Sequence, residues 1–255
     1  MTSFNFDLFD TLRSHDLFSQ EEMRTLVERQ REFEERWKGL SPVLRQKEME
    51  RLAIDLSWKS SQIEGNTYTL LQTESLFKEG KRAKGKIKEE AAMLLNHQAA
   101  LDYVLSHPDY FGELKVENIL EIHRFLTKGL GIPNKIRSGR VGITGTNYKP
   151  LSDARQKALQ DVCDLINFKQ NVLEKALITL LLIAYIQPFE DGNKRTARIL
   201  CNALLLANKY CPISFRTVDP DDYRYATLLF FEQNSLPSFK KMFIEQFEFS
   251  TANYF

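Results

Sequence analysis

The chain has 255 residues, with 35 Lys and Arg balanced by 34 Asp and Glu, 43% hydrophobic and 27% charged residues. Those are the proportions of a globular protein that buries a sizeable core in one or two domains. A net charge of +1 argues against a dedicated nucleic-acid binder, which carries a strongly basic face. The opening Met1-Thr2-Ser3-Phe4-Asn5-Phe6-Asp7 has an acid where a secretion signal needs base, and no apolar core follows it. Cys163, Cys201 and Cys211 lack disulfide-like or metal-like spacing. The expectation is a cytoplasmic protein in a reducing compartment, with neither nucleic acid nor membrane as partner.

In chain order, helical patterns dominate. Gln20 to Lys38 is charged and periodic and reads as an exposed or partner-facing helix; Arg45 to Glu64 reads as a second. The basic, Gly-punctuated run Glu79-Gly80-Lys81-Arg82-Ala83-Lys84-Gly85-Lys86 reads as a linker, dividing an N-terminal helical region (1–84) from a core domain (85–255). It lacks the interleaved aromatics of a nucleic-acid patch. Helices Ile87 to Ser106, Lys115 to Leu130 and Leu151 to Phe168 follow. Between the last two, alternating Val141 and Ile143, glycine-rich flanks and then Pro150 predict a β-hairpin. Ala176 to Ile186 is almost continuously apolar but too short to span a bilayer, so a buried core helix is expected, ended by Pro188. After Ala197 to Lys209, Asp219-Pro220 supplies a cap and a first-turn proline for a helix over Asp221 to Gln233. Pro237 to Phe247 completes the set, with Phe230, Phe231, Phe239 and Phe243 as core. The fold class is therefore all-α, a mainly helical bundle with a short β-hairpin flap.

The chemistry concentrates in Gln187-Pro188-Phe189-Glu190-Asp191-Gly192-Asn193-Lys194-Arg195-Thr196-Ala197-Arg198. Gly192 and Asn193 both tolerate positive φ, so their amides can converge on an anion at a helix start. Arg195 and Arg198 lie three apart, on one helix face, and guanidinium groups grip phosphate oxygens in pairs; Lys194 adds a point charge. Asp191 is placed to hold a Mg²⁺ that bridges phosphates. A loop of solvated charges, with Asp191 paired to an arginine, is the plainer reading. Other chemistries lack their marks. There is no phosphate-binding Gly-x-x-x-x-Gly-Lys-Ser/Thr loop and no nucleophile elbow, and the four histidines lack zinc-ligand spacing. His123, set among Ile119, Leu120 and Phe125, reads as a structural histidine.

This segment resembles the signature of the Fic family, His-x-Phe-x-Asp/Glu-Gly-Asn-Gly/Lys-Arg-x-x-Arg, departing at its first position, where Gln187 stands for the histidine. Ser60-Ser61-Gln62-Ile63-Glu64-Gly65-Asn66 resembles the inhibitory motif of self-restraining members, in which the glutamate, here Glu64, pairs with the second signature arginine, here Arg198. Ser60 and Glu64 lie one helical turn apart and Gly65 can end the helix. Ile136 to Gly145 resembles the family's flap, where Val141, Ile143, Thr144 and Gly145 would clamp a target by strand addition. Glu89-Glu90 through Asn96 to Leu101 resembles a further family stretch, so that roughly residues 50 to 245 look family-like.

The resemblance implies a Fic fold and transfer of AMP from ATP to a Ser, Thr or Tyr hydroxyl of a protein, the chain itself included among the candidate targets. Asp191 would hold Mg²⁺ across the α- and β-phosphates, Asn193 and the Gly192 amide would steady the transferred group, and Arg195 and Arg198 would hold the leaving phosphates. Gln187 has no useful basicity, so the catalytic base is missing and the rate should fall about 10²–10⁴-fold. Tyr225 and Asn234 are the candidates for adenine contact, and a homodimer is possible. Three readings stay open. One is a self-inhibited adenylyltransferase scaffold, with removal of AMP as a variant in which Glu64 positions water. Another is a kinase like the family's Doc branch, which shares the lysine found at Lys194. The third is a non-catalytic ATP-binding module.

Overall fold

A computed structural model describes residues 3–153 and 155–255 of the chain. Eleven α-helices appear among them: α1 (Asp7–Ser14), α2 (Gln20–Gly39), α3 (Pro42–Ile63), α4 (Leu70–Glu79), α5 (Lys88–Ser106), α6 (Val116–Thr127), α7 (Arg155–Phe168), α8 (Val172–Ile186), α9 (Asn193–Ala207), α10 (Pro220–Gln233) and α11 (Pro237–Asn253). A short 3-10 helix, Pro108–Phe111, links α5 to α6. The predicted mainly helical bundle is what forms.

Its centre is α8. Every residue from Ala176 to Ile186 is buried, because a helix apolar on all faces is stable only when covered on all faces. Asn171 starts it by accepting from the Leu173 and Glu174 amides. Helix α9 returns against α8, and α5, α6 and the 3-10 helix pack on α9 from the other side. α7 lies on α8, α1 on α7, and α3 contacts α4, α5, α9 and α10. One hydrophobic cluster runs from Leu8 to Phe247; it includes Phe230, Phe231, Phe239 and Phe243, as expected.

Two expectations are corrected here. Helix α2 is not a free surface helix. It docks on α11 through a narrow stripe in which Leu26, Gln30 and Phe33 are buried, leaving its many charges on the outer face. The segment with Val141, Ile143, Thr144 and Gly145 is not a β-hairpin. Among the described residues no strand ladder forms, and the one β-bridge joins Ser3 to Lys149. Carbonyls flanking the segment on both sides are taken by arginines. Arg137 donates to Gly139 O and Leu151 O (2.5 and 2.8 Å), and Arg155 donates to Ser138 O (2.9 Å). With those acceptors taken by guanidinium groups and Gly145 at φ +88°, a regular ladder has neither partners nor register. No helix among the described residues is long and apolar enough to cross a membrane.

Candidate anion-binding site

The site is a tight corner between α8 and α9. Helix α8 stops because Gln187 turns left-handed (φ 51°), a region non-glycine residues seldom occupy, directly before Pro188. Gln187 Nε2 donates back to Ala184 O (2.6 Å), and Gln187 Oε1 accepts from Asn193 Nδ2 (2.8 Å). Asn193 also braces Phe189, accepting from its amide and donating to its carbonyl, both at 2.9 Å. Its side chain therefore holds the corner together, and the residue also lines the cleft described below. Of the two residues that tolerate positive φ, Gly192 takes it (83°), and Asn193 is the first residue of α9. With no side-chain cap on Gly192, the start of α9 offers the unpaired first-turn amides that favour an anion.

His123 of α6 secures this corner from behind. It is buried, its ring stacked on Phe189 with centroids 3.6 Å apart, and its Nε2 lies 3.0 Å from Asp191 O. Burial holds its pKa below the usual histidine value. The sequence reading of a structural histidine is met, though nothing in the sequence tied it to the signature.

The cations of the signature converge on one acid from α3. Arg198 is fully buried; it donates from Nε to Ser60 Oγ (2.7 Å) and from Nη2 to Ser60 O (3.0 Å) and Glu64 Oε1 (2.7 Å). Lys194 Nζ lies 2.9 Å from the other carboxylate oxygen of Glu64. Gly65, at φ 92°, turns the chain immediately after Glu64 and lets the Asn66 amide close the helix end on Ser61 O. Burial alone would raise the Glu64 pKa, but Arg198 and Lys194 outweigh it and hold the group down to about 2. Ser60 Oγ in turn lies 3.0 Å from Nε2 of buried His97, which burial and the nearby Arg198 and Arg195 keep neutral. The pairing of Glu64 with Arg198 was legible in the motif. The parts of Lys194 and His97 were not.

Arg195 is also buried, and its Nη2 lies 3.1 Å from Asp191 Oδ2; Asp191 Oδ1 accepts from the Gly192 amide (2.6 Å). The plain pairing of Asp191 with an arginine thus coexists with the anion site, and its carboxylate is 67% exposed. Nη1 of Arg195 and Nη1 of Arg198 are buried without a hydrogen-bond partner. Two orphaned cationic donors at one corner are costly unless an anion or water completes them.

A cleft of about 430 Å³ is lined by Glu64, Gln187, Asp191 to Arg195, Gly142 to Thr144, and Tyr223, Thr227, Leu228 and Phe231 of α10, with Arg198 buried outside its lining. The two adenine candidates lie elsewhere. Tyr225 is 64% exposed and lines a separate depression with Thr217 and Gln246. Asn234 ends α10 and accepts from Asn5 Nδ2 (2.9 Å). Helical geometry explains the placement: Tyr223 and Thr227 share the face toward the cleft one turn apart, and position 225 points away from it. That periodicity was readable in the sequence. Val141 and Lys149 sit on a neighbouring groove that shares Gly142 and Ile143 with the cleft.

Residues 113–205 match the Fic/DOC family. The protein adenylyltransferase fic-1 of Caenorhabditis elegans is 28% identical over 203 residues, 75% of this chain and 39% of that protein. The protein adenylyltransferase Fic of Nematostella vectensis is 31% identical over 175 residues, 65% of this chain and 40% of that one. The chain thus spans about two fifths of the length of these curated relatives. The fold is shared with solved structures of Fic-1 from C. elegans (TM-score 0.79, 23% identity, covering 91% of this chain and 70% of that one) and of a Fic family protein from Desulfovibrio desulfuricans G20 (0.73, 24%, 92% and 74%). Residues 113–205 of this chain are a Fic/DOC family domain.

Proposed function

We propose that the chain is a Fic-type adenylyltransferase scaffold that binds ATP at the α8–α9 corner and directs AMP to a protein hydroxyl, restrained by Glu64 and weakened by Gln187. One observation carries the reading. The carboxylate of Glu64 sits between Arg198 (2.7 Å) and Lys194 (2.9 Å) at the start of α9, as a polyphosphate oxygen would. An anion site is built, and the chain's own acid fills it. Support for the reaction type comes from the relatives, named protein adenylyltransferases.

In this reading the target hydroxyl oxygen forms a bond to the α-phosphorus as the bond to the α–β bridging oxygen breaks, and pyrophosphate leaves. Arg195 and Arg198, each with a free buried Nη1, stabilise the charge that gathers on the leaving phosphates. The hydroxyl proton needs an acceptor. Gln187 supplies none, its amide being non-basic and already tied to Ala184 O and Asn193 Nδ2, so the proton must pass to water and the step slows by about 10²–10⁴-fold.

Asp191 is the acid that would hold Mg²⁺. No group of three or more His, Cys, Asp and Glu side chains gathers among the described residues. A single, largely exposed carboxylate fits a Mg²⁺ that takes its other ligands from water and phosphate oxygens. Such an ion, when bound, neutralises charge on the phosphates.

The engaged Gln187 amide also favours a second reading, an ATP-binding interaction module without catalysis. The test is transfer of α-labelled and γ-labelled ATP by the unaltered chain, by Glu64→Gly, and by Gln187→His with Glu64→Gly. Transfer of α-label to a protein acceptor by the double variant is expected. Transfer of γ-label alone would make it a kinase, and ATP binding without any transfer would leave the interaction module.

A further inference from the structure

We infer that His123 is a positioning residue for the phosphate-binding corner: it fixes the turn Phe189–Gly192 from behind and couples it to the loop that carries the flap segment, without touching nucleotide. The inference rests on the anion-site reading above and adds to it a residue outside the signature.

Three contacts on three successive parts of the turn carry the argument. The imidazole stacks on Phe189 almost face to face, with centroids 3.6 Å apart and planes 14° from parallel. Nε2 donates to the carbonyl of Asp191 at 3.0 Å, because a carbonyl can only accept. A Cβ placed on Gly192 would come within 3.5 Å of the ring atoms Cδ2 and Nε2, so the ring closes the space behind the left-handed glycine. On its far side, Nδ1 lies 3.1 Å from the side-chain amide of Asn134, in the loop leading to Arg137. The Asn134 atom at 3.1 Å is Oδ1, so with Nε2 carrying the proton this contact becomes a hydrogen bond once the amide turns over to present its nitrogen.

Geometry then decides what the contacts do. The Asp191 carbonyl belongs to the peptide whose N–H is that of Gly192, so a donor fixed on this oxygen fixes the direction of that amide plane. It also sets where the Asp191 carboxylate and the first turn of α9 stand. A site that recognises phosphate through backbone and guanidinium groups works only while such angles are held by the surrounding residues. Buried between Phe189 and the Asp191 carbonyl, His123 supplies that constraint; no other side chain donates to this carbonyl among the described residues.

The discriminating measurement compares ATP with adenosine. In a Glu64→Gly background, which opens the site, ATP–Mg²⁺ and adenosine affinities are measured calorimetrically for His123, His123→Ala, His123→Gln and Asn134→Ala. His123→Ala should lose at least tenfold in ATP affinity with adenosine affinity unchanged. His123→Gln, which keeps a donor to Asp191 O, should recover most of that loss, and Asn134→Ala should fall between. Hydrogen exchange at residues 190–194 should quicken in the same order. A general structural role would lower both affinities together, and an unchanged ratio of ATP to adenosine affinity in any folded His123 variant overturns the inference. Should His123→Ala fail to fold, His123→Gln and Asn134→Ala decide the question alone. If Glu64→Gly with intact His123 binds no ATP, the anion-site reading itself fails, and this inference with it.

Discussion

Glu64 is the residue on which the behaviour of the site turns. Its carboxylate is only 16% exposed and is ionised because two cations face it, an arrangement in which losing one partner costs more than the pair contributes. Its folded-state value of about 2 lies below its ordinary 4.5, so the pair is at full strength above pH 4.5 and is lost only as the pH falls towards 2. Acidification across pH 5–8 should therefore not release the site. Wild-type ATP affinity should stay flat over that range, while Glu64→Gly should raise it by at least about tenfold, or 1.4 kcal/mol; titration calorimetry at three pH values checks both. The buried histidines behave in the opposite sense from an ordinary histidine ion pair. Burial holds His97 and His123 neutral in the fold, while both protonate near 6.5 when unfolded. The unfolded chain then binds more protons below pH 6.5, and stability must fall as the pH drops through that point, by up to about 1.4 kcal/mol per pH unit for each histidine. Denaturant midpoints at pH 7.5 and 5.5 should show the loss, and His97→Gln should shrink it.

Among the elements, the loop between α6 and α7 is held less by its own backbone than by two arginines. Arg137 is almost wholly buried without a carboxylate; its Nε donates to Gln187 O (2.5 Å), and its backbone amide donates to Pro188 O (2.9 Å). Burial, with Arg155 nearby, pulls its pKa down to about 10, so it stays charged at neutral pH. One side chain thus ties the left-handed end of α8 to both ends of the flap segment. Arg137→Ala removes the side-chain donors to Gln187 O, Gly139 O and Leu151 O, of which only Leu151 O keeps another, from Arg155, at about 1–3 kcal/mol for a carbonyl not rescued by water. Limited proteolysis should then cut the 138–150 loop faster than in wild type, with the rest of the bundle intact. Faster cutting throughout the chain would instead mean that Arg137 supports the whole fold.

At the scale of the molecule, the proposed division at residue 84 meets a shared core. Leu8, Leu12, Leu26, Phe33, Leu56 and Ile63 belong to the same cluster as α8 and α9. Asp55 of α3 binds Arg216 (2.8 Å) and accepts from Tyr254 (2.5 Å), so the inhibitory-motif helix is bolted to the C-terminal end. A fragment of residues 85–255 loses those partners, each buried leucine or phenylalanine contributing about 1.5–3 kcal/mol. It should bind ANS and elute as aggregate, whereas the full chain should unfold in one transition. A monomeric, cooperatively melting fragment would support the two-unit description.

Much of this protein follows from local pattern. The eleven-residue apolar run had to be a buried helix, Pro188 and Gly192 had to turn the chain, and Arg195 and Arg198 had to share a helix face, because those properties depend on residues a few positions apart. The pairing of Glu64 with Arg198 was accessible through the motif that carries it. What local pattern cannot reach is competition between distant groups. Val141 and Ile143 alternate as a strand would, yet Arg137 and Arg155 take the neighbouring carbonyls and no ladder forms. Asn193 looks like a ligand residue, yet its amide is spent on Phe189 and Gln187. Tyr225 stands on the exposed side of α10, away from the cleft. Lys194, His97 and His123 acquire their places at the corner only when α3, α5 and α6 close around it. Turns and helix faces are set by covalent neighbours, whereas the ownership of a donor or a charge is settled by whichever partner packing brings within hydrogen-bond reach.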